Sequence, residues 1–274
     1  MDDNEYNDIS KIMKQILSEE KKKDMETLAP YLEALQNQNP SIKIDAIDNI
    51  KKMAMKDKVH NNAIPYLLDL LNDNNFDIKL RASNLIVLLA EKGIVAREAI
   101  VPLASLLKDQ SSKLQSQSAY SLGYMARKGI TSEDILPQLV ELLMHKDVMV
   151  RASAAYAIGC YAEKNIIVDG IVPMLITRLY ENNFEVQRNT IFALRVMAGR
   201  RIASEEAIIP LLYLLKHDDI SMRIYAIKAL KEFAEIGIQN TIELYAVLDL
   251  QDSENDDLRK HVNDLIDILE NRHI

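Results

Sequence analysis

The hydrophobic positions of the chain recur with a helical period and, over a longer span, with a second one. Ala54, Ala90, Ala126, Ala162, Ala198 and Ala234 stand 36 residues apart without an insertion. Four residues before each lies Ile50, Ile86, Leu122, Ile158, Leu194 or Leu230, and eight before lies a small residue, Ala46, Ala82, Ser118, Ala154, Thr190 or Ala226. Twelve before lies Ile42, Ile78, Leu114, Val150, Val186 or Met222, and one before lies Met53, Leu89, Met125, Tyr161, Met197 or Phe233. At about 100° per residue these offsets share one side of an α-helix, so the apolar stripe has a helical and not a strand period. Each repeat therefore opens with a first helix. Its start is marked by Asn39, Asn75, Ser111, Asp147, Asn183 or Asp219, side chains that accept the orphan N–H groups of a helix N-terminus. Three residues after the Ala come Gly93, Gly129, Asn165 and Gly237, which tolerate the left-handed conformation that closes a helix, while Asp57 and Arg201 depart from this.

A second helix follows, with Pro65, Pro102, Pro137, Pro173 or Pro210 near its start, where a missing N–H costs little. Its inward columns are Leu67, Leu103, Leu139, Leu175, Leu211 and Leu71, Leu107, Leu143, Leu179, Leu215. Continued beyond the sixth repeat, the frame places a cap at Asn255 and core at Leu258, Val262, Leu265, Ile266 and Leu269. At the other end Ile9, Ile12, Met13, Ile16 and Leu17 make one amphipathic helix, and Leu28, Pro30, Tyr31, Leu32 and Leu35 resemble a second. One domain over 1–274 is expected: a capping helix pair at 1–38, six repeats beginning at 39, 75, 111, 147, 183 and 219, and a closing helix at 255–274.

Composition narrows the chemistry. Seven Gly, seven Pro and no Trp leave little turn chemistry for a sheet protein. A net charge of -8 has the wrong sign for neutralising phosphates, so nucleic acid is not an expected ligand. Cys160 is the single cysteine, which rules out an internal disulfide. No apolar run reaches the roughly 18 to 20 residues of a membrane span, and the acidic start is unlike a signal peptide. A cytoplasmic protein without cofactor or metal is expected.

The stretches IVPLASLLKD and VMVRASAAYAIGCYAEKNI resemble HEAT and armadillo repeats. The basic column Lys43, Lys79, Arg151, Arg223 and Arg259 matches the arginine of the family's helix pattern, with Gln115 and Gln187 as departures. The resemblance implies an all-α, right-handed α-α superhelix, a solenoid of stacked helix pairs. It also implies that second helices line a concave side and first helices a convex one.

On that reading the outward positions of the second helices form a partner-binding groove. They hold Tyr66, Asp69, Asp73 and Glu98, then Asp109, Asp134, Gln138, Glu141 and His145, then Met174, Thr177, Glu181, Glu206, Tyr213 and His217. Eight of these are acidic and none is Lys or Arg, so the groove carries negative potential suited to a basic or amphipathic segment of another protein. A second surface, on the first helices, holds Tyr120, Tyr124, Tyr156, Cys160, Phe192 and Val196, about 160° from the core at 100° per residue. This apolar tract could join two copies. The column Asp109, His145, Glu181, His217 is the one arrangement that resembles metal-ligand chemistry, although neighbouring helix axes about 8–10 Å apart set it wide. No His is followed by Glu, the dipeptide of the metal-dependent HEAT-type hydroxylases. Arg151 and Arg223, four residues after Asp147 and Asp219, have the spacing of intrahelical ion pairs. The expected function is a non-enzymatic scaffold or adaptor that binds a protein; the alternative is a HEAT-type enzyme or accessory, phycobilin lyase-like or metal-dependent, using the same groove.

Overall fold

The computed structural model describes the backbone of residues 3–94, 97–202, 205–238 and 247–270, with side chains from residue 18 onward. Helices alternate long and short. The first helices are α2 (Pro40–Met55), α4 (Phe76–Glu91), α6 (Ser112–Arg127), α8 (Val148–Ala162), α10 (Phe184–Gly199) and α12 (Ile220–Glu235), closed by α13 (Asp256–Glu270). The second helices are α3 (Ile64–Leu71), α5 (Ile100–Leu106), α7 (Leu136–Leu142), α9 (Ile171–Leu179) and α11 (Ile208–Leu214), most of them entered through a single 3-10 turn that buries one residue, as Ala63 and Ala207. The second helix of the sixth repeat falls outside the described residues, as do the side chains of Ile9, Ile12, Met13, Ile16 and Leu17. No strand occurs among the described residues.

The chain divides into two compact units, Met1–Leu106 and Leu107–Ile274, where the pattern expects one domain. In a repeat chain each helix pair touches only its neighbours, so a division can fall between repeats. In the first unit α1 (Asp3–Ala34) lies on α2, α2 on α4, and α3 on both α4 and α5. The capping pair expected at 1–38 is thus a single helix. Residues 18–27, SEEKKKDMET, are mostly the good helix formers Glu, Lys and Met, with no Gly or Pro between the two apolar patterns, so nothing breaks the helix there. In the second unit α6, α8, α10, α12 and α13 pack in succession, and each short helix lies against the long helix that follows it.

The apolar columns are buried as the pattern predicts. Leu67, Leu103, Leu139, Leu175 and Leu211 are all 0% exposed. Ile42, in the first turn of α2, is the departure at 41%. The side chains of Asn39, Asn75, Asp147, Asn183, Asp219 and Asn255 accept backbone N–H bonds at their helix starts; Ser111 has the extended cap backbone without that bond.

Every first helix closes in the same way. The residue three after the Ala has positive φ in all six repeats, including Asp57 (58°), Asn165 (61°) and Arg201 (60°). The next N–H returns to the carbonyl one residue before the Ala, as in Ile94 to Leu89 at 2.8 Å, Lys58 to Met53 at 3.0 Å and Ile202 to Met197 at 2.9 Å. Asp57 and Arg201 therefore depart in residue type while keeping the backbone. Side chains adopt this region at a penalty of about 1 kcal/mol that glycine avoids. Arg201→Gly should accordingly stabilise the protein by about 1 kcal/mol, and Gly129→Ala should destabilise it by a similar amount. The shift in urea unfolding midpoint checks both.

Candidate functional site

The two faces of the repeats differ in what their polar side chains do. On the second-helix side, much of the predicted groove is engaged in holding the loops. In the first unit Tyr66 is half-buried, Asp69 and Glu98 are exposed, and Asp73 is half-buried. Asp73 accepts from Lys43 Nζ at 2.6 Å and from the Asn75 N–H at 2.8 Å. Burial alone would raise the Asp73 pKa, but the Lys43 bond, the Asn75 N–H and the nearby lysines hold it below 3.8.

In the second unit the same bond recurs two residues ahead of the caps Ser111, Asp147 and Asp219. Asp109 accepts from the Ser111 N–H at 2.9 Å, His145 Nδ1 from the Asp147 N–H at 3.0 Å, and His217 Nδ1 from the Asp219 N–H at 2.9 Å. Glu181, one repeat between them, instead pairs with Arg151 at 2.6 Å and Arg178 at 2.8 Å. The column that resembled a metal site is a loop-locking column, and in both histidines Nδ1 is already occupied as an acceptor. Among the described residues no group of three or more His, Cys, Asp or Glu is placed to hold a metal.

The basic column also has a different partner from the one its spacing suggested. Arg151 donates to the carbonyls of His145 (2.6 Å) and Lys146 (3.0 Å), Arg223 to that of His217 (2.5 Å), and Arg259 to that of Ser253 (2.6 Å). The side chains of Asp147 and Asp219 are spent on their own caps, so the intrahelical pairs do not form. Gln187, a departure from the basic column, donates to the Leu179 carbonyl at 3.1 Å and serves the end of α9 in the same way.

What stays exposed on this side is Asp134, Glu141, Thr177, Glu206 and Tyr213, the last at 73%. Thr177 turns back to donate to the Met174 carbonyl, and Met174 is half-buried. One hollow of about 620 Å³ brings Gln138, Glu141 and His145 together beside Lys108 and Lys146; another of about 700 Å³ joins Glu181, Tyr213 and His217 beside Lys216. Lysines thus flank both hollows.

The first-helix side of the second unit carries a larger groove, of about 860 Å³, across α6, α8, α10 and α12. Its spine is a ladder of rings from the same position of successive repeats. Tyr120 stacks on Tyr156 with centroids 5.1 Å apart and planes 19° from parallel, and Tyr156 on Phe192 at 6.0 Å and 28°. Arg127 Nη1 donates to the Tyr156 hydroxyl at 3.4 Å. Burial raises the Tyr156 pKa and pushes the Cys160 thiol up to about 12.

Cys160 is 0% exposed, and Tyr124, Tyr156, Phe192 and Val196 are half-buried, so the tract is less open than its angle from the core predicts. The reason is the closeness of the long helices. A Cβ on Gly123 would lie 2.7 Å from the Ala157 Cα, and one on Gly159 would lie 3.1 Å from the Ala193 Cα and 2.6 Å from the Phe192 ring. By contrast the second helices touch one another sparingly.

A HEAT repeat is recognised over residues 135–164, which span α7 and α8. Two engineered proteins share the architecture: one is 22% identical over 75% of this chain and 95% of its own, with a TM-score of 0.59. The other is 20% identical over 89% of this chain and 68% of its own, with a TM-score of 0.63. A designed armadillo repeat protein in complex with the peptide (KR)4 is 20% identical over 75% of this chain and 99% of its own, with a TM-score of 0.62. The chain thus has the fold of these repeat proteins and is similar to a HEAT repeat over residues 135–164. No curated protein matches it significantly. The recognised HEAT unit runs from the short helix α7 to the long helix α8 that follows and lies against it. Among the described residues no helix is long and apolar enough to cross a membrane.

Two outcomes follow for the side chains that lock these loops. His145→Asn keeps an acceptor for the Asp147 N–H and should leave stability nearly unchanged, whereas His145→Ala should lose about 1 kcal/mol, measured by thermal unfolding. For the Lys43–Asp73 pair the sign follows from the lowered carboxyl pKa: its stabilisation is full above 3.8 and disappears as pH falls through the lower folded value. Lys43→Ala should therefore destabilise at neutral pH and converge with the parent protein in acid, which urea titrations at several pH values would show.

Proposed function

We propose that this is a non-enzymatic protein-interaction scaffold, with the first-helix groove of the second unit as its binding surface for an extended segment of another protein. The carrying observation is the ring ladder Tyr120–Tyr156–Phe192, whose centroids lie 5.1 and 6.0 Å apart. An extended chain sets alternate side chains about 6.6 Å apart, so successive residues on one side of such a segment can meet successive rungs. A partly open row of aromatic rings with a cationic border is the composition of an interface centre. A cytoplasmic setting belongs to this reading, since the buried Cys160 is the only cysteine.

A second reading keeps the other side. Asp134 and Glu141 are exposed on the second-helix face and form no ion pair among the described residues, and the designed armadillo neighbour carries a (KR)4 peptide, which supports a basic partner there. Lys108 and Lys146 beside Glu141 weigh against it.

Peptides selected on the protein by display separate the two. Binding should fall at least tenfold with Tyr120→Glu and stay within twofold with Asp134→Lys and Glu141→Lys. The opposite pattern would transfer the function to the second-helix face. Glu181→Lys is unsuitable as a binding test, because it should lower stability by breaking the Arg151 and Arg178 pairs.

A further inference from the structure

The first-helix groove has a charge opposite to that of the chain. Four cations border it, Arg127, Arg188, Arg195 and Lys228, against a single carboxylate, Glu185, in a protein whose net charge is -8. Glu185 is taken by Arg188 at 2.6 Å. Arg127 and Lys228 have only distant carboxylates, Glu163 at 3.8 Å and Asp257 at 3.9 Å. Arg195 has no ion pair among the described residues. Between these cations lie the apolar side chains of the buried Ala152 and Ile191, with Met149 49% exposed at the rim, beside the polar Ser153 and Asn189.

We propose that this groove takes an acidic segment of a partner protein, with carboxylates on the arginine border and an apolar side chain between Met149 and the ladder. The inference rests on the reading of the groove as a peptide site and adds the sign of its ligand. Guanidinium groups meet carboxylates with two parallel bonds, and the two least committed cations, Arg195 and Lys228, lie on neighbouring helices α10 and α12. A segment alternating acidic and apolar residues would present both kinds of group at once. Polyphosphate fits less well. Single strands gain their affinity by stacking bases on open ring faces, and both faces of Tyr156 are covered, by Tyr120 and by Phe192.

Fluorescence anisotropy on the full chain tests this with three labelled peptides of equal length, alternating Leu with Glu, Gln or Lys. The Glu peptide should bind at least tenfold more tightly than the Gln peptide, with a preference that shrinks as salt rises. Arg188→Gln with Arg195→Gln should remove that preference, and Lys228→Gln, on a different helix, should reduce it independently. Circular dichroism confirms that each variant is folded; the Lys228 variant decides the matter if the double arginine variant is not. Equal binding of the Glu and Gln peptides, or tighter binding of the Lys peptide, would overturn the proposal, and so would displacement of the Glu peptide by oligothymidylate of equal charge. Self-association of the free protein that Arg195→Gln abolishes would also overturn it, by making a second copy the occupant. Failure here stays distinct from failure of the groove itself: display-selected peptides lost on Tyr120→Glu but not enriched in Asp and Glu leave the groove standing and remove only its charge preference.

Discussion

Second helices of seven to nine residues cannot hold themselves in water, where an isolated helix shorter than about 12 residues is marginal. Everything else in the structure serves to cover them. In the second unit the leucines Leu139, Leu175 and Leu211 reach 0% exposure where the long helix that follows each short one lies against it, and those long helices pack on one another in succession. The stability of any one repeat is therefore lent by its neighbours.

This dependence explains why so many polar side chains turn out to be occupied. The short connection from a second helix to the next first helix has to enter at a fixed angle. It is held from three directions, as at Asp147: a side chain two residues ahead of the cap takes the cap's own N–H, the cap side chain takes the first helical N–H groups, and a basic residue one turn in takes carbonyls of the connecting loop itself. Asp109, His145 and His217 belong to this arrangement. Their chemistry is spent on the backbone before any ligand could claim it.

The fold was largely legible because its determinants are local and periodic: the Ala frame, the cap column and the leucine columns each mark one position of a 36-residue unit. Even Leu258 and Leu269 at the closing helix follow from the same frame. What escaped was non-local. The frame gives the direction of a side chain from its own helix axis but not the distance to the next helix, and that distance, set by Gly123 and Gly159, turned Cys160 from a surface residue into a core one. The cationic border was missed because Arg188, Arg195 and Lys228 come from three different columns, so no single column carries the signal. In α1 the opposite error arose: two apolar patterns suggested two helices, but no residue between them interrupts one.

The uniform closure of the first helices has a further meaning for how such a chain can change length. Since every repeat leaves its first helix through the same left-handed residue and re-enters at the same cap, excising residues 147–182 would bring Asn183 to the place of Asp147 with every column still in phase. Removal of any number of residues that is not a multiple of the unit would rotate the apolar stripe toward water. Growth and shortening by whole modules is thus the one kind of insertion or deletion the architecture admits without new compensation.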